Sequence, residues 1–379
     1  MLHSLLLALT LGLQGAAPAP TQDPKHQADL DHDKEMGKRY SVQVDKEYKP
    51  SEKKELQERV ERIGGEIAQI ARREKVTVTW GDGRLNPFDY KFKVLKGKDV
   101  NAFSLPGGYI YIYEGLVDYV ETDDELAGVL AHEISHAAFR HVATLEHEQN
   151  KFDVVQLPLI LIAILSGGGQ GAMGALQAGQ LLSLATGSGW SLKAELAADR
   201  GGFEYIRRSR YNPTAMLTVM ERMARDERNS PKIDWGIFRT HPPSRERAEA
   251  LVSAMGLAKI PVQRSAVSTS LRAIAKAGDK GGAEIWFAGR KVVGLSGPDA
   301  ARRAEDALKR LNPMFDATPE LYEVLQDGPK LVYRHETLLE LTPEDAAAQK
   351  AKVGDLAADA LRAVRGALYV LSFRIWDER

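Results

Sequence analysis

His132-Glu133-Ile134-Ser135-His136 puts two imidazoles and a carboxylate in one short segment, and Glu195-Leu196-Ala197-Ala198-Asp199 adds two further carboxylates downstream. On a helix, residues four apart share a face, so His132 and His136 can turn their rings toward one metal ion. Glu133 lies about 100° around the same helix and leans over the remaining coordination position. Glu195 is the expected third ligand. Asp199, one helical turn on, is the carboxylate expected to accept an imidazole N–H. Two His, one Glu and an open position describe a catalytic zinc site, because structural zinc sites are usually closed by four protein ligands. One Zn2+ per chain is therefore expected. The chain has no cysteine, which excludes disulfides and thiolate zinc sites and leaves imidazole and carboxylate as the strong ligands.

These residues need a helix to position them, and the flanking sequence supplies its signals. Thr122-Asp123-Asp124-Glu125 reads as a capping box, after which Leu126, Val129, Leu130, Ile134 and Ala137 recur at helical spacing. The layout H-E-x-x-H-x-x-G-x-x-H is excluded, because the chain carries Phe139 and Val142 at its glycine and third histidine positions. His141 is off that register. It reads as a helix-end histidine favoured by the negative end of the dipole, or as a support for one of the ligands.

At 379 residues the chain has room for about two domains. A hydrophobic content of 44% and a charged content of 27% are those of an ordinary globular protein. The net charge of −1 gives no electrostatic case for nucleic acid. Residues 1–19 read as a signal peptide, from the apolar run Leu5 to Leu13 and the small residues Gly15, Ala16, Ala17 and Ala19. An uncleaved anchor or a buried helix is the alternative, and export to a periplasm is the expectation. Residues 20–33 are polar and read as a linker.

Residues 34–255 form the expected main domain. Two helices broken near Lys49-Pro50-Ser51 are followed by three runs of period-two character, at Val76 to Trp80, Tyr90 to Leu95 and Tyr109 to Tyr113. The apolar stretch Val154 to Leu165 spans about 18 Å as a helix, too short to cross a bilayer. With residues up to 184 it is a buried helix, a mobile hydrophobic flap over the cleft, or a surface that touches membrane, unfolded substrate or an envelope complex. Residues 256–282 read as a second linker. In residues 283–379, Ile285-Trp286-Phe287 aligns with Leu331-Val332-Tyr333 at an offset of about 46 residues. Val292 to Ser296 likewise aligns with Leu338 to Thr342. Each copy reads as a hairpin followed by a helix, or the likeness is fortuitous. A role in binding a protein partner is the expectation for this small α+β domain.

The chain resembles the gluzincin metallopeptidase family that includes the CAAX prenyl protease, HtpX and the periplasmic BepA type. The likeness covers Asp33 to Arg247. It rests on Glu35-Met36-Gly37, Asn101-Ala102-Phe103, Pro106-Gly107-Gly108-Tyr109-Ile110-Tyr111, His132 to His141, Glu195 to Asp199, Tyr211-Asn212-Pro213, His241-Pro242-Pro243-Ser244 and Arg247. It implies an α+β fold, a mainly helical zincin-type domain with a small sheet beside the active-site helix. It also implies His132, His136 and Glu195 as zinc ligands, Glu133 as the catalytic carboxylate, and Asp199 as the residue that orients a ligand. Residues 283–379 show no 34-residue helical-pair pattern, so they depart from the tetratricopeptide appendage common in the family.

The expected chemistry is peptide hydrolysis in extended or misfolded polypeptides, with Glu133 moving the proton of the attacking water. His241, with Arg245 or Arg247 behind it, either stabilises the oxyanion or caps the metal at rest. Asn101, Gly107, Gly108, Tyr109 and Ile110 are the expected substrate-binding residues. If Tyr109 to Tyr113 is an edge strand, a peptide can add to it; otherwise the strand is internal. The competing class is a zincin-like chaperone or assembly factor without activity, against which an intact Glu133 argues.

Overall fold

The computed structural model describes residues 23–148, 190–229, 241 and 244–371. The expected signal peptide and the apolar stretch 154–184 lie outside these. The architecture is α+β and mainly helical, with three small three-stranded sheets among the described residues.

Helix α1 (Pro24–Glu47) starts where the Asp23 side chain accepts from the Lys25 N–H, with proline in its first turn. Most of the segment expected to be a linker, 20–33, is therefore helix. Its polar residues find partners across the fold instead of in water. Arg140 donates to Asp33 at 2.6 and 2.9 Å, Arg84 to Asp29 at 2.7 Å, and the His26 ring meets the Asn86 side chain at 2.7 Å. Helix α2 (Lys54–Ala71) buries Val60, Ile63, Ile67 and Ala71, one face of a 3.6-residue period.

Strands β1 (Lys91–Leu95), β2 (Ala102–Leu105) and β3 (Tyr109–Tyr113) form a sheet in the order β1-β3-β2, with β1 parallel and β2 antiparallel to β3. Strand β3 is thus the middle strand, the internal one of the two alternatives left open for Tyr109 to Tyr113. Val76 to Trp80 forms no strand. Gly107 has φ 73°, and a Cβ there would sit 2.8 Å from Lys34 Cα. The bare turn before β3 therefore admits helix α1.

Helices α3 (Glu114–Tyr119), α4 (Asp123–Ala138), α5 (His141–Glu148), α6 (Trp190–Ile206), α7 (Thr214–Asn229) and α8 (Arg245–Leu257) complete the main unit. Thr122 caps α4, accepting from the Glu125 N–H at 3.2 Å, and Glu125 reaches back to the Glu121 N–H at 2.8 Å. Every residue from Glu125 to Ser135 is buried. A helix buried on all sides belongs at the centre of its unit, and α4 packs against α2, α6, α7 and β2.

The segment 256–282 also corrects its expectation, because it holds helix α9 (Arg264–Val267) and strand β4 (Ala273–Ala277). Strand β4 pairs with β5 (Ala283–Phe287), which pairs with β6 (Arg290–Leu295), all antiparallel, and helix α10 (Ala300–Ala317) follows. Strands β7 (Val324–Asp327), β8 (Lys330–Tyr333) and β9 (Glu336–Glu340) repeat the pattern, followed by α11 (Pro343–Ala348) and α12 (Val353–Leu371). Pairing slips between Ile285 and Trp286 in one sheet and between Leu331 and Val332 in the other, the positions that the sequence offset matches. This unit has its own core, built on Ile285, Phe287, Leu311, Phe315, Leu331 and Val364.

Candidate metal centre

Helix α4 turns His132 and His136 to one side, where their Nε2 atoms lie 3.0 Å apart. The Glu195 carboxylate stands 3.3 Å from each of those nitrogens. His241 Nδ1 joins them, 3.2 Å from His132 Nε2 and 3.1 Å from both Glu195 oxygens. One donor atom from each of the four residues fits within 4.8 Å of the others. Glu133 lies beside the cluster, with Oε1 3.4 Å from His241 Nε2. Its Oε2 is buried and has no hydrogen-bond partner among the described residues.

Helix α6 supplies the carboxylates because it approaches α4 at glycines. A Cβ on Gly201 would sit 2.3 Å from the Phe139 ring, and one on Gly202 would sit 3.1 Å from the His132 main-chain nitrogen. Asp199 then reaches His132 Nδ1 at 2.9 Å. A carboxylate accepts, so His132 Nδ1 carries a hydrogen, and Nε2 is the nitrogen that faces the cluster and would give up its own proton to offer a metal a lone pair. Arg247 grips Asp199 with two bonds, at 2.7 and 2.8 Å, and lies 3.0 Å from Glu195 Oε2. Its guanidinium thus orients the two carboxylates, in keeping with the expectation that it stands behind the metal-facing side chains, and it borders the same cavity as His241. Arg245 is exposed and paired with Glu249, so it does not back His241.

Burial opposes charge on His132, but Glu195 and Asp199 outweigh it and push its pKa up to about 10. Burial holds His136 below its ordinary value. Burial also opposes a charged Glu195, but His241 and Arg247 together hold its carboxyl well below the usual range. The donor set fits a divalent zinc: three imidazoles and an ionised carboxylate converge, and no thiolate competes.

A cavity of about 50 Å³ opens beside His132, Glu133 and His241. Its apolar wall is Gly128 and Val129 of α4 with Met216, Val219, Met220 and Met223 of α7. None of Asn101, Gly107, Gly108, Tyr109 and Ile110 lines it. Asn101 is buried, and its carbonyl accepts from the Tyr113 N–H at 3.0 Å, extending the sheet. Gly108 is crowded by Phe88 and Tyr90, and Ile110 is in the core. Among the described residues these five build the sheet and the turn before β3, and none of them borders the cavity.

The cluster also recruits His141, for which the sequence left open a helix-end place or support of a ligand. His141 opens α5 and does not end α4; its Nδ1 lies 2.8 Å from His136 Nδ1. The Met216, Met220, Met223 spacing on α7 is the signal that could have pointed to the cavity wall.

A profile of peptidase family M48 matches residues 52–255. Metalloprotease LoiP of Escherichia coli K12 is 30% identical over 172 residues, covering 45% of this chain and 65% of LoiP. The beta-barrel assembly-enhancing protease of the same organism is 32% identical over 182 residues, covering 46% of this chain and 37% of that protein. The mitochondrial metalloendopeptidase OMA1 of Schizosaccharomyces pombe is 32% identical over 165 residues, covering 43% of this chain and 46% of that protein. The chain therefore spans less than two thirds of the length of each of these relatives.

Proposed function

The chain belongs to peptidase family M48 and is a metallopeptidase, and from that premise we propose that it is an exported zinc endopeptidase cleaving extended or misfolded polypeptides in envelope quality control. The observation that carries this reading is the convergence of His132, His136 and Glu195 on one point, with the unbonded Glu133 Oε2 beside it.

Zinc, when bound by His132, His136 and Glu195, would supply Lewis acidity and lower a water's pKa toward about 7. Glu133 takes the proton of the attacking water and returns it to the leaving amine. Asp199 and Arg247 hold His132 and Glu195 in place, and neither is drawn into the proton transfer. The apolar cavity accepts a substrate side chain. Strand β2 is an edge of the sheet and packs on α4, so the main chain of an extended substrate would add there and not at β3.

His241 acts as a cap in this reading. Its Nδ1 lies among the ligand atoms, where an open fourth position is needed. Moving it aside would admit substrate, a restraint suited to a broadly specific protease.

Export rests on the apolar leader, and no helix among the described residues is long and apolar enough to cross a membrane. The likeness to a bacterial protease named for enhancing beta-barrel assembly supports an envelope setting. The domain of residues 283–379 is assigned to partner binding, supported by Tyr322 and Leu325, large apolar side chains exposed next to and on β7. Contact with a membrane or envelope complex through 154–184 is part of the same proposal.

The test is casein digestion and zinc content of the wild type and Glu133→Gln. The amide keeps the fold and the zinc but cannot take the proton, so hydrolysis should fall at least about 100-fold. Equal proteolysis by the variant would sink this mechanism. A wild type that holds zinc yet cleaves nothing would favour a chaperone or assembly factor.

A further inference from the structure

We propose that His141 is a positioning residue for the metal centre: it fixes His136 in the Nδ1–H tautomer, so that His136 Nε2 presents a bare lone pair beside His132 and Glu195. The proposal rests on the metal reading above and adds a residue to it.

The assignment follows from counting donors. His141 Nε2 lies 3.1 Å from the Trp80 carbonyl oxygen. A carbonyl only accepts, so this nitrogen carries a hydrogen. A neutral imidazole has one N–H, which makes His141 Nδ1 an acceptor. That nitrogen is 2.8 Å from His136 Nδ1, so His136 Nδ1 donates and its Nε2 is left unprotonated. Among the described residues the ring neighbours of His141 are Trp80, His136 and Phe139, and no carboxylate is hydrogen-bonded to it. The two ligand imidazoles are thus fixed by different means, His132 by the Asp199 carboxylate and His136 by a neutral ring.

The corner that carries His141 is built for this contact. Arg140, at φ 52°, turns the chain sharply after α4 and brings His141 beneath His136. Arg140 is itself held by Asp33 and by Asp82 at 3.0 Å. The Asp82 N–H donates to the Phe139 carbonyl at 2.7 Å, fixing the bend that offers the Trp80 carbonyl. Gly81, at φ 106°, lies so close that a Cβ would be 2.5 Å from the Phe139 oxygen and 2.8 Å from the His141 ring. A histidine serving only as filler would not need its acceptor aimed at His136.

The experiment uses the full chain labelled with ¹⁵N-histidine, long-range ¹H–¹⁵N spectra, and zinc affinity from chelator competition, with His136 assigned from H136Q. The variants are H141F, which keeps a ring without an acceptor, and H141Q, whose amide can accept and donate. In the wild type His136 should carry its hydrogen on Nδ1, both metal-free and zinc-loaded. H141F should bind zinc about 10–100-fold more weakly, and H141Q should recover most of that loss. A wild-type spectrum with the hydrogen on His136 Nε2 overturns the proposal, and this readout stands even if H141F does not fold. Zinc held equally tightly by the wild type and folded H141F overturns the proposal alone. A wild type that binds no zinc overturns the metal reading beneath it.

Discussion

Glu195 and Asp199 share one face of α6, yet they touch His132 on opposite nitrogens, Glu195 at Nε2 and Asp199 at Nδ1. Only Glu195 can therefore contribute a ligand atom. Glu195→Ala should lose zinc more severely than Asp199→Ala, whose loss is expected at about 10–100-fold. Retention of zinc after dialysis against graded chelator measures the order, and a reversed order would reject the ligand assignment. For His241 the sign of the change is informative. His241→Ala should raise basal proteolysis if the ring caps the metal, and should lower turnover at unchanged KM if it serves the oxyanion. At this scale the sequence was legible where one helix does the work, since four-residue spacing alone aligns His132 with His136. The Glu195 carboxylate was reached through its motif. His141 was not resolved, because its contact depends on the positive φ of Arg140 and on a carbonyl sixty-one residues away.

The α4–α6 packing sets how far those carboxylates reach. Gly201→Ala would place a methyl inside the Phe139 ring's contact distance, forcing the helices apart at a cost of about 1–3 kcal/mol. A lower thermal midpoint together with weaker zinc binding is expected. Unchanged zinc affinity in a folded G201A protein would mean that α6 has slack the close contact does not suggest. Helices were more legible than strands. The four residues of β2 are all buried and show no alternation, so period-two reading passed over them. Strand β3 was found, but pairing partners are a tertiary property, and the sequence left open whether it was edge or middle. The polar start of α1 was misread because Asp29 and Asp33 find arginines far along the chain.

The two units dock through charge. Glu121 Oε2 accepts from Ser268 Oγ and from the Thr269 and Ser270 N–H groups at 2.7 to 3.0 Å. Burial opposes its charge, but Ser268, Ser270 and Arg222 lower its pKa to about 2. A folded-state pKa below the unfolded value of about 4.3 stabilises fully above that value, and the contribution is lost as pH falls toward 2. Wild type should therefore lose more stability than E121Q between about pH 4.5 and 2, which acid unfolding followed by circular dichroism measures. Parallel curves would refute the docking role. Arg264 is buried against Glu221 of α7 and also donates to the Asp316 carbonyl of α10. R264M should cost about 3–5 kcal/mol by stranding the Glu221 charge, and adding E221L should recover much of it. Denaturant melts of the single and double variants test this, and a double variant no more stable than R264M would reject it.

That buried pair also bears on descent. A lineage that discarded residues 264–371 in one step would leave a carboxylate inside α7 with no cation to meet it. The residue at 221 and the segment that carries Arg264 are therefore coupled energetically. Among M48 chains that lack such an appendage, an acidic side chain at the position of Glu221 should be rare unless another arginine has replaced Arg264.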